Sequence, residues 1–190
     1  MNSRVAMVDI VFPRAGLLRD VALVVGFSIL TALCSRISLW IGPVPITGQT
    51  FAVLLTGAFL GSRRGALSQL TYIAVGATGI PMWFAAGGTL GIARIIGPTG
   101  GYLFGFAAMA FVVGWLAERN WDRRMVTAVL AMLAGSAAMY VFGLTWLAGY
   151  FPAKVLQVGL IPFIPGDLIK IGLAAAVVSG SWRFLGRLRI

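Results

Sequence analysis

Apolar runs of near membrane-spanning length, cut by short arginine-bearing links, leave this chain few architectures to choose from. No water satisfies backbone N–H and C=O groups in hydrocarbon, so each run must close its own hydrogen bonds, as a helix does. Six runs stand out, at about 21–40, 51–61, 66–80, 102–117, 125–150 and 167–182. The expected fold is an all-α integral membrane protein: six transmembrane helices with irregular extracytoplasmic loops. The run at 51–61 is shorter than the roughly 20 residues of a usual span, so it must borrow from the preceding loop or sit where the bilayer is thin. Only 11% of the 190 residues are charged, against about 25% in soluble domains.

The positions of the cations set the expected topology. Eleven arginines (Arg4, Arg14, Arg19, Arg63, Arg64, Arg119, Arg123, Arg124, Arg183, Arg187 and Arg189) fall in the two tails and in the links 62–65 and 118–124, whereas the other side holds only Arg36, Arg94 and Lys154. Cytoplasmic loops carry the excess of Lys and Arg, so both termini are expected in the cytoplasm of a multi-pass cell-membrane protein. The expected organisation is a cytoplasmic N-terminal tail over 1–19, lying along the membrane surface, a six-helix domain over 20–183 and a basic cytoplasmic tail over 184–190. In this setting the net charge of +10 speaks for orientation in the lipid membrane and not for nucleic acid.

Asp167 is the one acidic residue inside an apolar run, and Lys170 follows it three positions later. A charge at membrane depth costs about 2.5–3.5 kcal/mol on insertion scales and usually faces a partner, a cavity or a substrate. Three residues apart on a helix, the two share a face and can neutralise one another or grip a polar ligand together. The plainer alternative is that Asp167 caps the helix N-terminus while Lys170 snorkels to the interface. Two other stretches resist a continuous helix: GPVPITGQT at 42–50, with Thr47, Gln49 and Thr50, and the glycine-rich PMWFAAGGTLGIARIIGPTGGY at 81–102, with Trp83, Phe84 and Arg94. Irregular backbone at membrane depth is tolerated where it lines a cavity. Both stretches and Asp167 fall on the outer side, converging on one expected pocket.

Several chemistries lack their residues. With no histidine and one cysteine, Cys34, neither a metal site of imidazoles and thiolates nor a triad with an imidazole base is expected. No GxxxxGK[ST] loop is present, so the chain does not cradle ATP phosphates itself. Asp167 with Lys170 is the sole acid–base pair for catalysis; the expected reading is no enzyme, no catalytic residue and no cofactor. In the first run Ala22 and Gly26, then Ser28 and Ala32, repeat small residues every four positions and offer a docking face for another helix.

The motifs PVPITGQT at 43–50, GSRRGALS at 61–68, GATGIPMWFAAGGTLG at 76–91, GPTGGYLFGF at 97–106 and IPGDLIK at 164–170, in this order and spacing, resemble the BioY family of energy-coupling factor (ECF) transporters. The resemblance runs from about residue 20 nearly to the end. It implies a substrate-binding membrane subunit (S component) that captures biotin from outside and works with a transmembrane coupling subunit and two cytoplasmic ATPases. Biotin as the transported ligand suits the residues: Asp167 can accept ureido N–H bonds, Lys170 can donate to the ureido carbonyl, Arg94 can meet the carboxylate, and Trp83, Phe84 and Tyr72 can supply aromatic surface beside the polar Thr47 and Gln49. Where the family commonly has a proline in the basic turn and a leucine before the glutamine, this chain has Ser62 and Gly48, and Gly48 is expected to loosen the first loop. The rival readings are an ECF subunit for another small vitamin, a free-standing secondary transporter, and a membrane enzyme.

Overall fold

The computed structural model describes residues 6–11, 13, 16–39, 44–81, 83–84 and 89–188. Trp40 at the end of the first run, Gly42 and Pro43 of the first loop, residues 85–88 of the glycine-rich stretch, and Arg4, Arg14 and Arg189 of the cation pattern lie outside them. Nine α-helices are described: α1 Met7–Val11, α2 Leu17–Cys34, α3 Gln49–Leu60, α4 Ser62–Ala77, α5 Ile92–Ile96, α6 Gly100–Ala117, α7 Met125–Ala148, α8 Val155–Gly159 and α9 Ile164–Leu188. A single 3-10 turn, Pro152–Lys154, precedes α8. Between α2 and α3 two short strands, β1 Ser38–Leu39 and β2 Ile46–Thr47, pair antiparallel with Ser38 opposite Thr47.

The six apolar runs correspond to α2, α3, α4, α6, α7 and α9. Of these, α2, α6, α7 and α9 are long and apolar enough to cross a membrane, while α3 has 12 residues and α4 16. Helix α2 stops at Cys34, short of the expected 40, because the chain turns at Ser35 and enters the β1–β2 ladder. At the other end α9 runs through Leu188 instead of ending near Trp182. No proline interrupts the run beyond Trp182.

The expected N-terminal tail contains α1, and it is clipped to the bundle. Asp9 pairs with Arg19 at 2.9 Å and with Arg64 at 2.5 Å, while Asp20 meets the same two arginines at 2.8 and 3.1 Å. Burial pushes the Asp9 carboxyl up, but the Arg64 and Arg19 guanidinium groups outweigh it and hold the group below its usual value. Behind the clip, Ala6 and Val8 pack with Leu60, Leu23 and Phe27.

Helix α6 is the centre of the bundle, packed on α7, α4 and α3. Small residues let it approach so closely. A Cβ added to Gly114 would lie 2.4 Å from the backbone of Gly61 and Ser62, in the turn between α3 and α4 where Gly61 takes φ +80°. The Glu118 carboxylate closes this contact by accepting from the Ser62 N–H at 2.7 Å and hydroxyl at 2.9 Å. In the next link, buried Asp122 accepts from the Trp182 indole at 2.5 Å and ties the α6–α7 connection to α9. Desolvation pushes the Asp122 carboxyl up to about 6.

Candidate functional site

The residues singled out in α9 lie at its first turns. Asp167 is buried at 7% exposure. Its oxygens do not cap the helix: Oδ1 accepts from Lys170 Nζ at 3.0 Å and from the Thr50 hydroxyl at 3.3 Å, and Oδ2 accepts from the Tyr140 hydroxyl at 2.5 Å. Lys170 does not snorkel; its ammonium also donates to Thr50 at 3.0 Å, and its side chain is 16% exposed. A carboxylate, an ammonium, a hydroxyl and a phenol from α9, α3 and α7 therefore form one network. Charge-assisted bonds of this kind are about twice as strong as neutral ones, so the network holds its geometry before any ligand arrives.

This network faces a tight pocket of about 50 Å³, smaller than the roughly 300–1,000 Å³ usual for small-molecule sites. Thr47, Gln49, Phe84, Arg94, Asp167 and Lys170 all line it. The sequence elements expected to converge do converge: the first loop, the glycine-rich stretch and the start of α9. The walls come from the first turns of α3, α6 and α9 and the second half of α7, which is the end of the bundle away from the links at 61–64 and 118–124. Arg94 sits on the short helix α5 and is 6% exposed, so it is a buried pocket cation and not a solvated loop arginine.

Two of the expected aromatic residues stand behind the wall. Tyr72 is fully buried and Trp83 is partly buried; neither lines the pocket. Their rings stack at 6.0 Å, and the Trp83 indole donates to the Tyr72 carbonyl at 2.8 Å. The neighbouring Phe84 does line the pocket, and it packs edge-on against Tyr72 at 5.4 Å. It fits only because Gly76 is bare: a Cβ there would fall 2.0 Å from the Phe84 ring. Gly48 tightens the first loop where a looser one was expected. Its N–H donates to the Ile37 carbonyl at 2.8 Å, and an added Cβ would meet the Cys34 carbonyl at 2.8 Å.

Sequence reasoning missed Tyr140 and Tyr102 as wall residues. Tyr102 donates to the Gly159 carbonyl at 2.8 Å and stacks on Phe163, placing aromatic faces beside the Asp167 network. The signal was available, since a phenol in an apolar span needs a hydrogen-bond partner and a buried Asp is one. Thr50 was visible as a loop hydroxyl but not as the bridge between Asp167 and Lys170. The docking quartet divides: Ala22 and Gly26 are exposed on α2, whereas Ser28 and Ala32 are buried in the bundle. Those two therefore leave the proposed docking face. Among the described residues no cluster of His, Cys, Asp and Glu could hold a metal ion.

Comparison with known proteins points the same way. The model of the BioY family matches residues 2–187. The chain is 39% identical over 160 residues to a probable biotin transporter BioY of Pyrococcus horikoshii, covering 84% of this chain and 93% of that protein. It is likewise 39% identical over 153 residues to the biotin transporter BioY of Thermotoga maritima, covering 80% and 88%. The fold is similar to a crystal structure of the S-component for biotin from an ECF-type ABC transporter, with a TM-score of 0.72, 25% identity, and coverage of 90% of this chain and 91% of that one.

Proposed function

This chain belongs to the BioY family, and from that premise we propose that it is the biotin-capturing S component of an ECF-type vitamin transporter, binding biotin in the pocket of Asp167 and Arg94. The observation that supports the ligand is the Asp167–Lys170–Thr50–Tyr140 network in a pocket that also holds a buried arginine. Biotin has a ureido ring with two N–H donors and a carbonyl at one end, a carboxylate at the other, and apolar chain between. Oδ2 of Asp167 keeps an unused lone pair beside Tyr140 and can accept a ureido N–H. Arg94 supplies the fork geometry that suits a carboxylate, and Phe84, Phe106 and Phe163 supply apolar wall.

Uptake then needs an external motor, because the chain has no phosphate loop. The proposed partners are a transmembrane coupling subunit and two cytoplasmic ATPases, with Ala22 and Gly26 on the exposed side of α2 as part of the docking face. Radiolabelled biotin should bind the purified subunit alone, while cellular uptake should collapse when the phosphate-loop lysines of the partner ATPases are replaced. Full uptake without those ATPases would instead identify an autonomous carrier, and tighter binding of another vitamin would reassign the substrate.

The proposed orientation puts both termini in the cytoplasm and the pocket outside. It is supported, among the described residues, by Arg19, Arg63, Arg64, Arg119, Arg123, Arg124 and Arg183 at one end of the helices against Arg36, Arg94, Lys154 and the pocket residue Lys170 at the other. Reporter fusions after Arg124 and at the C-terminus should read cytoplasmic, and fusions near Gly97 and Lys154 external. An odd number of crossings would detach Asp167 from the outer face.

A further inference from the structure

We propose that Thr99, at the start of α6, is a specificity-determining residue whose hydroxyl donates to the carboxylate of the ligand. The inference rests on biotin being the substrate. Thr99 lines the pocket and is 7% exposed. Its hydroxyl has no hydrogen-bond partner among the described residues.

The hydroxyl does nothing for the helix. A threonine at an N-cap usually turns its oxygen to a backbone N–H in the first turn, and Thr99 makes no such bond. The backbone secures this end without it: the Gly100 N–H donates to the Gly97 carbonyl at 3.0 Å, and the Tyr102 N–H donates to the Thr99 carbonyl at 3.1 Å. The side chain also lies on the face of α6 turned to the pocket. Thr99, Tyr102, Leu103 and Phe106 all line it, and positions i, i+3, i+4 and i+7 share one side of a helix. A buried polar group left without a partner is costly, so the occupant of the pocket is where this donor is used.

Charge decides which part of the ligand takes the bond. Among the lining residues Asp167 is the one acid, set against Arg94 and Lys170, so the wall carries a single net positive charge that a monoanion neutralises. Asp167 and Lys170 already answer one another at 3.0 Å, which leaves the excess with Arg94. Thr99 follows Arg94 by five residues and stands at the positive pole of the 18-residue helix α6, where an anion is favoured over a neutral group. A hydroxyl also bonds a carboxylate more strongly than it bonds a neutral oxygen. The Thr99 hydroxyl and the α6 pole therefore add selectivity for the acid to the charge that Arg94 supplies.

Biotin and biotinol, in which the carboxylate is replaced by a neutral CH2OH group, should be titrated against purified wild type, Thr99→Val and Thr99→Ser. Valine keeps the branched shape and removes the hydroxyl, whereas serine keeps the hydroxyl and loses the methyl group. Thr99→Val should weaken biotin about fivefold to tenfold and biotinol by less than about twofold, so the preference for the acid narrows. Thr99→Ser should stay within about twofold of wild type for both ligands. A purely structural role would weaken both ligands alike in Thr99→Val. That result, an unchanged biotin affinity, or a serine variant as weak as the valine one would overturn the assignment while leaving biotin as substrate. Absence of biotin binding to wild type would overturn both. If Thr99→Val does not fold, Thr99→Ala carries the same two-ligand comparison.

Discussion

Asp167→Asn is expected to weaken biotin binding about tenfold or more, which at about 1.4 kcal/mol per tenfold is the size of one lost charge-assisted contact. A helix cap would predict otherwise, since asparagine is itself a good cap. Here the carboxylate accepts from Lys170, Thr50 and Tyr140 at once. An amide offers one acceptor oxygen in place of two and turns an NH2 toward a donor on one side or the other. Lys170, largely buried in the wall, then faces the neutral ureido end of the ligand with no counter-charge, and an unpaired buried group costs about 1–3 kcal/mol, more when charged. Lys170→Met should cost a comparable amount. The double change should cost less than the sum, because either single change already breaks the network. Biotin titrations of the four proteins test this, and unchanged affinity in both folded single variants would remove the pair from the site.

Gly114→Val is expected to cost the subunit most of its folded yield and to lower its melting temperature in detergent, whatever ligand is present. The added Cβ would fall 2.4 Å from the backbone carbon of Gly61 and nitrogen of Ser62, and backbone cannot swing aside as a side-chain tip can. Overpacking a tight core typically costs about 1–3 kcal/mol. In lipid the effect is sharper, because close packing is itself what holds helices together there. Displacing α6 would also pull Glu118 from the α4 N-terminus. Gly172→Ala, on α9, is the control: a Cβ added there meets nothing within 4 Å, and alanine is the better helix former by about 1 kcal/mol. It should raise the melting temperature slightly. A Gly114→Val protein that melts like wild type would show that α6 can shift without loss.

What the residues disclosed and what they hid follow from the range of the interactions. The apolar runs and the Asp167–Lys170 spacing are local, and they located the helices and the pocket pair. The partners of that pair are not local: Tyr140 is 27 residues from Asp167 and Thr50 is 117 away. Adjacent Trp83 and Phe84 divide between the back and the front of the wall, which irregular backbone does not reveal in advance. Some misreadings were avoidable. At 100° per residue, Ser28 and Ala32 lie about 120° round α2 from Ala22 and Gly26, so the four never shared one narrow stripe. The short helices α1, α5 and α8 span five residues each, below the length at which periodicity signals a helix.

At 12 residues, helix α3 reaches only about 18 Å at 1.5 Å per residue, where the hydrocarbon core is about 30 Å thick. One end is fixed by the turn at Gly61, so the whole deficit falls at the other, where Gln49 and Thr50 stand. The recess is therefore made by omission: a span that stops early leaves a well walled by its taller neighbours, α6, α7 and α9. Lengthening α3 by one turn would fill the well, and a solute that reaches the bottom has already left bulk water for the depth of the hydrocarbon.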